Sequence, residues 1–203
     1  MRIITGIAKG TKLKTPKGLD VRPTADRVKE SMFSILENLT LPGGGRVLTG
    51  AKVLDLFAGT GNLGLEALSR GAAHALFIDH SLVSLAVIKD NINSARLGER
   101  AEVQRGDSIK MLDKLGHSGR TFSLIFVDPP YNQRMVNVIL LKFDTSIVAE
   151  DEGLIVVEHS KHESINTQWQ NLQMIRTEQY GETLVTFFLQ PIRGTTTLAI
   201  GGN

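Results

Sequence analysis

Asp55, Asp79, Asp107 and Asp128 each end or directly follow a short apolar, strand-like run, and the four runs succeed one another along the chain. In an open parallel sheet, ligands bind beyond the carboxyl ends of the strands. The spacing therefore predicts one crevice rimmed by carboxylates. Taken singly, each acid could be no more than a helix N-cap, Asp107 before "SIKML" above all. Between the first two lies "DLFAGTGNLGLEA", residues 55–67, with glycines at 59, 61 and 64. As a bare pattern this is the dinucleotide fingerprint, with an acid about 20 residues downstream; a tight strand-to-helix turn produces it as well.

The acids weigh against a dinucleotide. Like charges about 4 Å apart repel by roughly 4 kcal/mol at an effective dielectric of 20, and no P-loop lysine follows the glycines. A ligand carrying an ammonium, a sulfonium, ribose hydroxyls and an exocyclic amine suits such a rim. S-adenosylmethionine has all four. The glycines then supply bare backbone that a cofactor can approach closely.

The fourth run, "SLIFVDPPYN" (residues 123–132), ends on Asp128 followed by Pro129, Pro130 and Tyr131. Proline fixes its own φ and pushes its predecessor toward extended geometry. The Asp128 carboxylate and the Pro129 carbonyl are thus aimed with little freedom. A target needing two acceptors is the exocyclic amine of a nucleobase, whose lone pair must be localised for in-line attack on a methyl group. Tyr131 would stack on the base, flipped out of its helix to reach the pocket. The bland alternative is a Pro-Pro pair that merely ends a strand.

The elements that must position these residues alternate. "KVLDLF" (52–57), "HALFID" (74–79), "AEVQRGD" (101–107), "FSLIFVD" (122–128) and "GLIVVEHS" (153–160) read as strands, with helical stretches between them. "LQMIRTEQYGETLVTFFLQ" reads as two strands joined at Gly181. This pattern predicts an α/β fold, a mostly parallel sheet covered on both faces with an antiparallel hairpin at one edge. Ahead of it, Arg2–Thr5 and Thr11–Thr15 suggest a small hairpin with polar, cationic faces, and a helix starts at Pro23-Thr24. "PGGGR" (42–46) is the natural boundary, giving an N-terminal hairpin and helix at 1–45, a catalytic body at 46–192 and a frayed tail at 193–203.

The 203 residues carry a net charge of +2, unevenly spread. Residues 1–30 hold eight basic and three acidic side chains, a balance of +5, and the remainder balances at −3. A basic arm on a slightly acidic body suggests a polyanion partner, with Arg2, Lys9, Lys12, Lys14 and Arg22 as phosphate contacts; a solvated lysine-rich edge is the alternative. Cysteine is absent, which excludes disulfides and thiolate metal sites. No run is long enough to cross a bilayer and the start shows no signal peptide, so a cytoplasmic protein is expected. The five histidines are scattered, and no metal is expected. Glu158 reads as a cap on the polar rim of the sheet, Phe33 as core, and Trp169 has no assigned role.

"DLFAGTGNLGLEALSRGA", "DPPY" and the arm "MRIITG…KGTKLKTPKGLDVRPTADRVKESMFSIL" together resemble the RsmD family of bacterial 16S rRNA guanine-N2 methyltransferases, from Met1 to about Gln190. The tetrad alone is shared by many amino-methylating enzymes; "RPTADRVKESMFSIL" is the more specific part. The resemblance implies a Rossmann-like class I methyltransferase fold with seven strands. It implies S-adenosylmethionine on Asp55, Phe57, Gly59, Gly61, Asp107 and Ser108, with Asp79 on the ribose, where the family more often has glutamate. It places Arg22, Thr24 and Arg27 by the cofactor or the flipped nucleotide, and Asp128, Pro129, Pro130 and Tyr131 at the guanine amine. The implied partner is 16S rRNA, alone or within the small subunit or its assembly intermediate, with the protein acting as a monomer. Rival readings are amino-methylation of adenine or of a protein glutamine, an NAD-dependent oxidoreductase built on Gly59-Thr60-Gly61, and a non-catalytic RNA-binding assembly factor.

Overall fold

The structure, a computed structural model, describes residues 1–15, 23–130 and 135–194, without the side chains of residues 23–25. In chain order come α1 (Pro23–Asn38), β1 (Lys52–Asp55), α2 (Asn62–Ser69), β2 (His74–Asp79), α3 (Leu82–Ala95), β3 (Ala101–Arg105), α4 (Ser108–His117), β4 (Phe122–Val127), α5 (Met135–Asp144), β5 (Ala149–Ser160), β6 (Gln173–Tyr180) and β7 (Thr183–Leu189). Among the described residues the strands form one seven-stranded sheet in the order β3-β2-β1-β4-β5-β7-β6. β1 to β5 pair in parallel, and β7 runs antiparallel between β5 and β6. β1, flanked by β2 on one side and β4 on the other, is where strand order reverses. Such a switch point opens a crevice at the strands' carboxyl ends.

The inner strands are apolar on both faces because helices cover both. One core joins α1, α2 and α3 to the sheet through Phe33, Leu65, Phe77, Ile88 and Phe126. The other packs α4 and α5 on the opposite face through Leu112, Leu115, Ile139, Leu140 and Phe143. Gly64 lets α2 lie close to the sheet, since a Cβ there would sit 2.3 Å from Phe77 Cε1. Phe33 is fully buried, its ring 5.6 Å from that of Phe126, so the expectation of core holds.

The arm differs from its sequence reading. The two expected strands reduce to one isolated antiparallel bridge, Arg2 with Lys12, supported by Ile3 N–H to Thr11 O at 3.0 Å and Gly10 N–H to Ile3 O at 2.8 Å. Nor are its faces all polar. Ile3, Ala8 and Leu13 are buried in the same core as Val28, Met32 and Phe33 of α1 and Val53 of β1. Residues on either side of the Pro42–Arg46 loop thus share one core, because apolar residues alternate with the lysines of the arm.

Three smaller differences have local causes. β5 begins at Ala149 rather than 153, passing through an irregularity where Glu152 has φ 60° and the pairing with β4 shifts register; periodicity does not reveal such a bulge. Arg193, placed at the start of a frayed tail, is anchored by Asp151 at 2.6 Å and the Ala149 carbonyl at 2.6 Å. Residues 195–203 lie outside the described residues. Trp169 donates its indole N–H to Asn166 O at 2.7 Å and packs on the α4–α5 core.

Candidate active site

Two carboxylates shape the glycine loop. Asp55, at the end of β1, accepts the Gly64 N–H at 2.9 Å. Asp79, at the end of β2, accepts the Gly59 N–H at 2.9 Å and the Ser81 N–H at 2.8 Å. The loop is closed by Gly61 N–H to Ala58 O at 2.6 Å. Gly59 has φ 55°, and the position of its missing Cβ is almost empty, with the Phe57 carbonyl 3.9 Å away. Gly61, at φ 77°, faces inward, where a Cβ would meet Leu65, Phe77 and Ile88 at 3.4–3.5 Å. Both glycines serve the left-handed backbone, and Gly59 also leaves the crevice side bare.

The crevice beside that loop is lined by three carboxylates, Asp55, Asp128 and Glu158, with Phe57, Gly59 and Met32 near them. Lys29 also lines it, but its amine is committed. It donates to Arg2 O at 2.7 Å and Asn62 Oδ1 at 2.6 Å and lies 3.3 Å from Glu66 Oε2. Its three hydrogens are therefore taken up, and it is not a phosphate clamp. Pro129 is buried beneath Asp128, while Pro130 is exposed.

Other predicted residues have local partners or lie outside the described residues. Asp107 caps α4 through Lys110 N–H at 3.0 Å, the bland reading allowed for it. Ser108 is buried and donates to Leu56 O at 2.7 Å. Asp79 is buried at the foot of the glycine loop, each of its oxygens accepting a backbone amide. Arg27 is exposed on α1. Arg22, Tyr131 and the side chain of Thr24 lie outside the described residues. His159 is a satisfied core histidine, Nδ1 3.1 Å from Ser160 O and Nε2 3.0 Å from Thr186 Oγ1. Among the described residues no group of three His, Asp or Glu could hold a metal ion.

Burial pushes the Asp55 carboxyl up to about 7, the Gly64 bond opposing and Asp79 adding to the rise. Asp128 is raised well above the ordinary carboxylate range, first by the atoms packed around it, then by repulsion from Glu158 and Asp55. Asp128 nevertheless keeps an exposed flank at the crevice mouth. Water at that flank softens the dehydration contribution, and the mutual repulsion of the three acids is the part that persists. A cation entering the crevice relieves it.

The sign of the Asp55 effect can be checked on stability. An unfolded Asp55 titrates near 3.8 and the folded one near 7. The contribution is complete below about 4 and is lost as pH rises through about 7. Asp55→Asn keeps an oxygen for the Gly64 N–H, and is expected to flatten the fall in melting temperature between pH 5 and 8, an effect on the order of 1–3 kcal/mol. A ligand-free wild type whose stability rises steadily over that interval would contradict the assignment.

The sequence reading missed two things here. Lys29 is one of the eight basic residues of the arm, and Glu158 reads from sequence as a rim cap. Nothing local marks Lys29, whose burial depends on how α1 crosses α2. The β4–β5 register, carried one residue beyond Val127–Val157, sets Glu158 beside Asp128.

The sheet order, with β7 inserted antiparallel between β5 and β6, is that of the class I methyltransferases, and the solved structure of yhhF from Escherichia coli superposes with a TM-score of 0.78 at 29% identity, covering 94% of this chain and 98% of that one. The chain belongs to the family described as conserved hypothetical protein 95, which it matches over residues 1–189. YlbH of Bacillus subtilis is 37% identical over 188 residues, 93% of this chain and 98% of that protein. Ribosomal RNA small subunit methyltransferase D of Escherichia coli is 32% identical over 195 residues, 96% and 92% of the two chains. The chain is a methyltransferase of this family, in keeping with the resemblance in its sequence.

Proposed function

We propose that the protein transfers the methyl group of S-adenosylmethionine to the exocyclic N2 amine of one guanine in small-subunit ribosomal RNA. The observation that carries the reading is the crevice at the sheet's switch point, which Asp128 on its proline corner lines together with Asp55 and the bare backbone of Gly59. The Escherichia coli relative, named for methylation of the small-subunit RNA, supports the substrate.

The residues fit this cofactor better than a dinucleotide. Three acids line the crevice, the lysine there is saturated by Arg2, Asn62 and Glu66, and the loop amides of Gly59 and Gly64 are already bonded to carboxylates. Those amides and that lysine are the groups a pyrophosphate would need. Asp55 and Gly59 would hold the amino-acid end of the cofactor, with Phe57 against it. When bound, S-adenosylmethionine supplies a methyl group on a sulfonium, open to a single in-line displacement. Asp128 and the Pro129 carbonyl orient the amine by accepting its two hydrogens, which turns its lone pair toward the methyl. The amine proton becomes acidic only after transfer, and the Asp128 carboxylate, with its raised proton affinity, accepts it. Tyr131, outside the described residues, would stack on the base. The protein works as a monomer in the cytoplasm and without a metal.

Arg2, Lys9, Lys12 and Lys14 are exposed on the arm, and Lys14 is shared with Asp90 at 2.8 Å. They would grip RNA phosphates. Replacing Lys9 and Lys12 together by alanine should weaken binding of small-subunit RNA and make the slope of log affinity against log salt shallower by about 1–2. An unchanged slope would remove these lysines from the interface.

The reaction itself is tested with small-subunit RNA from cells lacking the protein. Incubation with labelled S-adenosylmethionine and digestion to nucleosides should place the label in N2-methylguanosine. Label in a methyladenosine, or retention of NADH with no retention of S-adenosylmethionine, would overturn the reading.

A further inference from the structure

Asp128, directly after β4, and Glu158, within β5, stand at the same level on neighbouring parallel strands. β4 and β5 align Phe126 with Val156 and Val127 with Val157. The next residue on each chain is the acid, so the two stand across a single inter-strand spacing of about 4.8 Å. Both line the crevice, and repulsion from Glu158 is among the causes that raise Asp128. Asp55 faces them from the other neighbour of β4, aligned with Phe126.

Amine orientation alone accounts for Asp128 and the Pro129 carbonyl; it gives Glu158 no task. The bases differ in what they present next to the amine. Guanine carries an N1–H directly beside its N2 amine, so its edge offers adjacent donors. Adenine and cytosine place a ring nitrogen lone pair there instead. Paired carboxylates complement the first edge, and one of them is set against a lone pair on the others. A carboxylate facing an acceptor is repelled and loses its water, so the wrong base is penalised as well as the right one favoured.

We propose that Glu158 is the residue that selects guanine, accepting its N1–H while Asp128 and the Pro129 carbonyl take the N2 amine. This rests on the guanine-N2 reading above. Setting Glu158 beside Asp128 is then a specificity device, because guanine brings hydrogens to both acids at once.

2-Aminopurine separates the two parts of the recognition, since it keeps the N2 amine but has a lone pair at N1. Once the modified guanine has been mapped, small-subunit RNA joined from transcribed pieces and one synthetic piece can carry guanine or 2-aminopurine at that position. The wild type is expected to favour guanine in kcat/KM by about 10⁴-fold, as sites built to bond an N–H reject analogues lacking it. Glu158→Ala should lose most of its activity on guanine and bring the ratio to within a few-fold of one. Glu158→Gln, whose amide oxygen can still accept, should restore part of the preference. Binding of S-adenosylmethionine and melting temperature should stay near wild type in both variants. Equal use of the two bases by the wild type, or a ratio kept by Glu158→Ala while cofactor binding falls, would overturn the role of Glu158 and leave guanine-N2 transfer standing. If no substrate yields N2-methylguanosine, the underlying reading falls and this one with it.

Discussion

Asp128→Ala is expected to lose methyl transfer by about 10²–10³-fold, the range found when one preorganised polar group is removed from an active site, while affinity for S-adenosylmethionine changes only a few-fold. The expectation follows from geometry. Asp128 stands at the end of β4, on the crevice mouth, with a buried proline behind it, whereas the glycine loop is shaped by Asp55 and Asp79. Removing Asp128 deletes an acceptor for the amine and leaves that loop untouched. Asp128→Asn is the sharper variant, because it keeps one acceptor oxygen and puts a donor where the other stood. It should recover part of the alanine loss in kcat with little change in KM. Isothermal titration with the cofactor and single-turnover transfer to small-subunit RNA separate the two quantities. Normal turnover by Asp128→Ala would remove this residue from the chemistry.

The second large effect concerns stability. Glu66 on α2 is fully buried and holds the arm to the body from both oxygens. It accepts the Ile4 N–H at 2.8 Å and the Thr5 N–H at 3.0 Å. It also pairs with Arg70 at 2.8 Å and with buried Lys29 at 3.3 Å. Glu66→Ala strands two buried cations and frees two arm amides, and breaking a buried pair in this way costs about 3–5 kcal/mol. Urea unfolding should report that loss. Hydrogen exchange should report faster opening at the Ile4 and Thr5 amides than in the sheet strands. Because Lys29 and Asn62 also line the crevice, looser arm packing should weaken cofactor binding as well. Destabilisation below about 1 kcal/mol, the usual range for an exposed pair, would mean that the network is not the anchor described.

Both predictions bear on what could be read in the chain before folding. The parallel sheet was legible because each inner strand is an apolar run ending on an acid or a turn, and because helical periodicity fills the gaps between them. The edge hairpin was legible from Gly181, which has φ 63° between β6 and β7. Asp55 and Asp128 were legible as strand ends facing one crevice. Asp107, equally well placed in the pattern, also caps its own helix through the Lys110 amide, which occupies one of its two oxygens.

What could not be read were contacts between residues far apart in the chain. Glu66 looks like an ordinary helical glutamate, and its burial comes from residues 61 and 62 positions away. Lys29 looks like one more charge in a basic arm. The alignment of Glu158 with Asp128 follows from β4 and β5 being neighbours in a particular register, which strand content alone does not supply. The charge count of the arm thus overstated what it can offer a polyanion, since one of its eight basic residues is spent inside.

The measurement that tests the account most directly is mass mapping of small-subunit ribosomal RNA from cells lacking this protein, complemented with the wild type or with Asp128→Ala. The account predicts that a single methyl is missing from the N2 position of one guanine, that the wild type restores it, and that the variant does not. An RNA with every guanine methyl in place in the absence of the protein, or restoration of the missing one by Asp128→Ala, would contradict it.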